Sequence, residues 1–224
     1  MIRGVIFDLD GTLIDSMPMW TGIDERFLRE NGIADPPSDI SDRVRKLTLD
    51  EAAELFREEF GVNMTNRQMI ARIEEMVRVE YEENIPLKPG VKRLLDLLDS
   101  AGIPYGVATA TYRTLAEAVL RRCGIFDRFS FLLTDADYPR GKSFPDIFLG
   151  AAERLGTSPE ETLVIEDSLH CIETARAAGF VTAGVYDSAS EPDIQDIKRT
   201  ADYYTGSLEE INDILSSVYV TAAK

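Results

Sequence analysis

Short apolar runs and amphipathic stretches alternate along most of the chain. Residues 2–7 form an apolar run that ends at a polar, glycine-containing turn, Asp8-Leu-Asp-Gly-Thr. Similar runs predict further strands at 105–109, 129–134, 162–166, 182–185 and 203–205. Amphipathic stretches around them predict helices at 90–100, 112–122, 145–155, 169–178 and 207–216. Strands and helices that alternate in this way indicate an α/β fold with a doubly wound, Rossmann-like parallel sheet.

The segment between the first and second predicted strands has a different pattern. It shows no strand pattern, and apolar residues recur at helical spacing in three stretches, at about 16–31, 48–60 and 66–83. Asn66 is expected to cap the third of these helices. Because one crossover between parallel strands does not need so long a block, we expect an inserted all-helical cap domain at 16–86. The α/β core would then consist of residues 1–15 and 87–224.

Charge and composition narrow the class of partner. Asp plus Glu number 40 against 24 Lys plus Arg, a formal net charge of −16, which disfavours binding to nucleic acid or to an anionic membrane. The two cysteines, Cys123 and Cys171, are too few for a disulfide framework. No signal peptide or membrane-spanning run is found. We therefore expect a cytoplasmic protein, a monomer or weak homodimer, that acts on a small molecule.

Polar residues follow four of the predicted strands at the points where the strands end. In an open parallel sheet, ligands bind at the carboxyl ends of the strands. Each residue alone has an ordinary structural explanation as a turn, a helix cap or a surface charge. Their shared placement indicates one site, and the residues are Asp8, Asp10, Thr12, Thr109, Lys142, Glu166 and Asp167.

The carboxylates among these residues require a positive counter-charge, because clustered anions repel one another. Lys142 alone would not neutralise them, and Mg²⁺ is the cation that oxygen ligands of this kind favour. The candidate metal ligands are Asp8, Asp10, Asp167 and Glu166. A phosphate group would account for the remaining residues, through the charge of Lys142, the hydroxyl of Thr109 and turn amides after Asp8. Candidate phosphate or substrate contacts are therefore Leu9, Thr12, Thr109, Ala110 and Lys142.

These residues resemble the four motifs of the haloacid dehalogenase superfamily, in the same order. The matching segments are Asp8-Leu-Asp-Gly-Thr-Leu-Ile-Asp-Ser, Thr109, Gly141-Lys142-Ser-Phe-Pro-Asp and Val-Ile-Glu166-Asp167-Ser. The helical insert is similar to the cap of the phosphoglycolate phosphatase and beta-phosphoglucomutase branch. One departure is Ser143, which stands where relatives usually have Pro.

The resemblance implies a role for each of these residues. Asp8 would be the nucleophile and form an aspartyl-phosphate. Asp10 would act as the general acid and base, and its backbone carbonyl would bind Mg²⁺. Thr109 and Lys142 would hold the phosphoryl oxygens. Asp167 would complete the metal site, and Glu166 would bind the metal through water or orient a ligand.

The most favoured function is a Mg²⁺-dependent phosphatase for a small phosphorylated metabolite, such as a sugar phosphate. Asp10 argues against dehalogenation, in which the leaving halide needs no proton. A beta-phosphoglucomutase-like mutase is the main alternative, although Trp20 and Leu49 stand where such mutases carry histidine and arginine. A non-catalytic phospho-ligand binder is the other. Lys46, in a basic stretch of the predicted cap, is a candidate substrate contact.

Overall fold

The computed structural model describes residues 1–44, 47 and 49–211. The chain folds into two compact units. One consists of Met1–Ser16 together with the chain from Ile85 onward, and the other of Met17–Asn84.

The first unit contains a parallel sheet whose strand order is β3-β2-β1-β4-β5-β6. The strands are β1 (Gly4–Phe7), β2 (Tyr105–Thr109), β3 (Leu132–Thr134), β4 (Thr162–Glu166), β5 (Val181–Val185) and β6 (Tyr203–Thr205). β1 lies at the centre, and all four of its residues are buried. Phe7 is in register with Val107 of β2 and Ile165 of β4, so the residues that follow these strands meet at one edge. The predicted doubly wound parallel sheet is confirmed.

The helices follow the predicted alternation. They are α1 (Met17–Glu30), α2 (Ile40–Val44), α3 (Leu49–Phe60), α4 (Asn66–Val79), α5 (Val91–Ala101), α6 (Arg113–Arg122), α7 (Asp146–Leu155), α8 (Leu169–Ala177) and α9 (Ile194–Thr200). α1 to α4 belong to the second unit and α5 to α9 to the first. Among the described residues, no helix combines the length and the apolar sequence that crossing a bilayer requires.

Several predicted boundaries differ from the structure. β3 begins at Leu132 rather than at Phe129, because Phe129 ends a 3₁₀ turn and packs its ring on Phe7 and Tyr105. Two helices, α2 and α9, were not predicted, because five and seven residues are too few to establish a helical period. Of the predicted helix at 207–216, residues 208–210 form a turn, and those beyond 211 lie outside the described range.

The N-terminus of α4 also differs from the prediction. The cap is Thr65, not Asn66: the Thr65 hydroxyl accepts from the Gln68 amide, and the Gln68 side chain accepts from the Thr65 amide. This reciprocal pair is a capping box, which satisfies two donors at once. The helix continues as a π-helical turn, Glu80–Asn84.

The second unit has its own apolar core, which includes one acidic side chain. The rings of Phe27 and Phe56 are fully buried with centroids 5.3 Å apart, and Met69 and Met76 are buried with them. Asp24 of α1 is also buried, with only 8% of its surface exposed. Burial raises the pKa of the Asp24 carboxyl, and a hydrogen bond with Ser41 offsets this only in part.

We expect Asp24→Asn to stabilise the protein near neutral pH. Because the folded state raises the pKa of Asp24, this group's contribution to stability is present below the unfolded pKa of about 3.9 and is lost as pH rises through the folded value. Thermal unfolding of the variant should occur a few degrees higher at about pH 7, with the difference vanishing toward about pH 4. Asp35→Asn, at an exposed position, is the control. A difference that does not change with pH would contradict the explanation.

Gly106, the second residue of β2, should not tolerate a side chain. An added Cβ would lie 2.3 Å from the ring of Phe131, which itself packs against the sheet core. Gly106→Ala should therefore cost about 1–3 kcal/mol of unfolding free energy, measured by urea titration. Gly206→Ala in the same unit is the control, since its Cβ would meet its nearest neighbour at 3.6 Å. Equal stability of the two variants would contradict the packing argument.

Candidate active site

Asp8 occupies the first position after the central strand. Its amide donates to the carbonyl of Ile165 on β4 at 3.0 Å, and only 7% of its surface is exposed. The chain then turns sharply, with the amides of Leu13 and Ile14 both donating to the carbonyl of Leu9. Gly11 in this turn has a φ of 80°. A side chain there would place Cβ 2.6 Å from an oxygen of Asp167, so backbone conformation and space both require glycine.

Lys142 lies between two carboxylates in the interior. It belongs to the 3₁₀ turn Gly141–Ser143, and its ammonium contacts Oδ1 of Asp8 and donates to Oε1 of Glu166 at 2.8 Å. Ser143 in place of the usual Pro thus leaves Lys142 inside the site. The second oxygen of Glu166 accepts from the backbone amides of Asp167 and Ser168, both at 2.9 Å. Both carboxylate oxygens of Glu166 therefore accept hydrogen bonds, and Glu166 orients the Lys142 ammonium.

Burial and the mutual charges of Asp8, Glu166 and Lys142 shift the pKa of each of these three side chains. Burial, together with the neighbouring carboxylates Glu166 and Asp167, raises the pKa of Asp8, although Lys142 opposes the shift. Burial would also raise the pKa of Glu166, but the Lys142 ammonium and the backbone amide of Ser168 outweigh it, so that pKa is lowered. Burial disfavours the charge on Lys142, but the two carboxylates dominate and raise the pKa of the ammonium.

Asp167 completes an acidic cluster with Asp8 and Glu166, in which ligand oxygens lie within 4.8 Å of one another. Asp167 accepts hydrogen bonds from the hydroxyls of Thr12 at 3.0 Å and Ser190 at 3.3 Å. Burial and the charge on Glu166 nevertheless raise the pKa of Asp167 to about 7.

The donor set of this cluster fits a hard divalent cation. In the part of the chain that the structure describes, these three buried carboxylates contact one ammonium, that of Lys142, which leaves two negative charges uncompensated when all are ionised. Mg²⁺ would balance them, and carboxylate oxygens are the ligands it takes. Since Glu166 already accepts three hydrogen bonds, Asp8 and Asp167 are the carboxylates best suited to hold the ion.

Asp10 lies in a different environment from Asp8. One of its carboxylate oxygens accepts from the Ser16 hydroxyl at 2.7 Å and the other from the Thr111 hydroxyl at 2.5 Å. The Asp10 carboxylate is not part of the acidic cluster that Asp8 forms with Glu166 and Asp167. The predicted metal ligand of Asp10 is its backbone carbonyl, so that assignment stays a prediction. Thr111 is a site residue that sequence reasoning missed, and its only signal was its place two residues beyond Thr109.

The other predicted contacts are distributed around the same strand ends. Thr109 is buried, and its hydroxyl accepts from the Thr111 amide at 3.0 Å, which shapes the loop after β2. Ala110 in that loop is exposed, whereas Leu9 is buried in the turn after Asp8. Thr12 supports Asp167 with its hydroxyl. The predicted substrate contact Lys46 lies outside the described residues.

Cys171, in α8, lies next to the acidic cluster. The thiol is buried and forms no disulfide, and Nε2 of His170 lies 3.2 Å from its Sγ. Burial raises the pKa of the thiol, so that a nucleophilic thiolate is disfavoured. His170, by contrast, has an exposed ring whose Nδ1 lies 2.8 Å from the Ser168 hydroxyl. Neither side chain provides an alternative nucleophile.

Comparison with known proteins agrees with this geometry. A sequence profile of the haloacid dehalogenase-like hydrolases matches residues 2–179. N-acetylmuramic acid 6-phosphate phosphatase of Pseudomonas aeruginosa is 29% identical over 96% of this chain and 95% of that protein. Hexitol phosphatase B of Escherichia coli is 31% identical over 79% of this chain and 80% of its own length. The crystal structure of a beta-phosphoglucomutase homologue from Thermotoga maritima superposes with a TM-score of 0.84 at 27% identity, covering 97% of this chain and 100% of that one.

The fold and the site together define the class, a hydrolase with an acidic site at the carboxyl edge of a doubly wound sheet. The chain belongs to the haloacid dehalogenase-like hydrolase family. It is an enzyme, a phosphoric monoester hydrolase of that family, so the predicted superfamily and enzyme class are confirmed.

The hydroxyls of Ser16 and Thr111, which donate to the Asp10 carboxylate, should support turnover if Asp10 is the proton donor that the family resemblance implies. Thr111→Val removes one of them without changing side-chain size, and kcat should fall by about tenfold, a part of the 10²–10⁴-fold that general acid catalysis contributes. Thr111→Ser, which keeps the hydroxyl, should retain most of the activity. Thr114→Val, at an exposed position on α6, is the control. An unchanged kcat in Thr111→Val would refute the role of the hydroxyl.

Proposed function

We propose that the enzyme hydrolyses the phosphate ester of a small sugar or polyol phosphate, with Asp8 as nucleophile and Mg²⁺ as cofactor. The observation that carries the proposal is the buried Asp8 carboxylate, which a lysine ammonium contacts, followed two residues later by a second aspartate in a separate hydroxyl environment. The substrate class is supported by the names of relatives that act on N-acetylmuramic acid 6-phosphate and on hexitol phosphates.

The reaction would proceed in two steps. In the first, an Asp8 oxygen bonds to phosphorus while the bond to the ester oxygen breaks, and protonated Asp10 gives its proton to the leaving alkoxide. In the second, Asp10 takes a proton from water, whose oxygen attacks phosphorus and releases Asp8 and inorganic phosphate. Lys142 and Thr109 hold the phosphoryl oxygens, with the backbone amides of Leu9 and Ala110 as further donors.

The metal would be held by Asp8 and Asp167, with the Asp10 backbone carbonyl as a further ligand and Glu166 acting through water. Mg²⁺, when bound, supplies positive charge that offsets the phosphoryl oxygens and the carboxylates. The residues of the chain would keep this charge in place: Thr12 and Ser190 hydrogen-bond Asp167, and Glu166 holds Lys142.

Hydrolysis is favoured over phosphomutase activity because the second unit contains no histidine. The only histidine of the chain is His170, at the start of α8 in the first unit. Where the resemblance implies a mutase histidine, α1 carries Trp20, whose indole N–H donates to the Tyr81 hydroxyl at 3.2 Å. We propose that the unit Met17–Asn84 is the cap and selects the substrate, with Lys46 as one contact. A cytoplasmic location is proposed because both cysteines are unpaired.

A phosphatase screen with purified protein tests the proposal. The panel comprises hexitol 6-phosphates, N-acetylmuramic acid 6-phosphate, phosphoglycolate and β-glucose 1-phosphate, each with Mg²⁺ and with EDTA, and phosphate release is measured. We expect activity on a sugar or polyol phosphate that EDTA abolishes. Asp8→Asn should reduce kcat by at least about 10³-fold, because an amide cannot attack phosphorus. Asp127→Asn, at a side chain that is 93% exposed, is the matched control.

Three outcomes would count against the proposal in different ways. Phosphate release that survives Asp8→Asn would refute the nucleophile. Conversion of β-glucose 1-phosphate to the 6-phosphate, without net phosphate release, would favour the mutase. Binding of panel members without turnover would favour a phospho-ligand binder.

A further inference from the structure

Lys88 connects the turn after Asp8 with the loop after β5. Its backbone amide donates to the carbonyl of Leu13 at 3.0 Å. Its ammonium donates to the carbonyl of Gly11 at 2.6 Å, to the carbonyl of Tyr186 at 2.8 Å and to Oδ2 of Asp187 at 2.7 Å. All of these residues belong to the first unit. Each of the three ammonium protons therefore has an acceptor.

This lysine differs from an ordinary surface lysine in its burial. The Lys88 side chain is 14% exposed and that of Asp187 is 2% exposed. A largely buried ammonium loses part of its hydration, and hydrogen bonds of good geometry must replace it, so such a group is held in one position. Sequence reasoning gave Lys88 no role, since it lies between Leu87 and Pro89 with no motif around it.

Both segments that Lys88 holds touch Asp167. Gly11 approaches so closely that an added Cβ would lie 2.6 Å from Oδ2 of Asp167. On the other side, Oδ1 of Asp187 accepts from the amide of Ala189 at 2.8 Å. That bond fixes the start of the 3₁₀ segment Ser188–Asp193, from which the Ser190 hydroxyl donates to Oδ2 of Asp167 at 3.3 Å.

We infer that Lys88 is a positioning residue for the metal site: by tying Gly11 to Asp187, it fixes the two neighbours that hold the Asp167 carboxylate in place. The inference rests on the proposed function, because it takes Asp167 as a ligand of Mg²⁺. Lys88 itself would touch neither metal nor substrate.

Calorimetric titration of the substrate-free enzyme with Mg²⁺ tests the inference. Lys88→Met keeps much of the side-chain length and removes the ammonium. We expect the Kd for Mg²⁺ to rise by about tenfold or more, the range seen when partners behind metal ligands are lost. The direction of the change in Kd distinguishes positioning from simple electrostatics, because loss of a nearby positive charge would by electrostatics alone lower the Kd for the cation. At saturating Mg²⁺, kcat should stay within about threefold of wild type.

Lys92→Met, an exposed lysine on α5, is the matched control and should leave the Kd unchanged. If Lys88→Met does not fold, the same titration is made with Lys88→Arg. Arginine keeps the charge, but its planar fork cannot reach the same three acceptors, so weaker Mg²⁺ binding is again expected.

Mg²⁺ binding in Lys88→Met as tight as or tighter than in wild type, or an unchanged Kd in Lys88→Arg where that variant carries the test, would overturn the inference and leave the proposed function standing. A wild-type enzyme that hydrolyses its substrate without binding Mg²⁺ would overturn both the metal site and the inference.

Discussion

The site depends on one buried ammonium placed between two carboxylates. Lys142 contacts Asp8 and donates to Glu166, and all three side chains are almost fully withdrawn from solvent. Charges in such surroundings are stable only when each is paired and hydrogen-bonded. The backbone amides of Asp167 and Ser168, just before α8, complete the requirement by donating to Glu166. One ammonium still cannot balance a third carboxylate, Asp167, and this deficit gives the site its affinity for a cation in our proposal.

Two aspartates separated by a single residue receive different surroundings, and this separation permits different chemistry. Asp8 faces an ammonium and other carboxylates, whereas Asp10 faces the hydroxyls of Ser16 and Thr111. The Lys142 ammonium favours the ionised form of Asp8 that a nucleophile needs, against burial and the neighbouring carboxylates, and the cation of our proposal would add to this effect. Environments that differ in this way are how one protein fold assigns separate roles to like residues.

We assign catalysis and substrate selection to different units of the chain. In our proposal, the first unit carries the chemistry at the edge of its sheet, and one fold can serve enzymes with many different substrates. The second unit has a separate apolar core around Phe27 and Phe56, so its surface can vary without disturbing the sheet. Substrate identity is therefore a property that we assign to the second unit and that the acidic cluster alone does not determine.

The sequence by itself determined the parallel sheet, the family and the strand-end placement of Asp8, Lys142 and Asp167, because strand and helix periods are local and parallel strands end at a common edge. It did not determine α2 and α9, which are too short to establish a period, or the cap at Thr65. Only the tertiary structure separated Asp10 from the acidic cluster and brought Thr111 and Lys88 to their partners. Those contacts join residues about a hundred positions apart, and no local pattern encodes which polar groups will meet once the chain is folded.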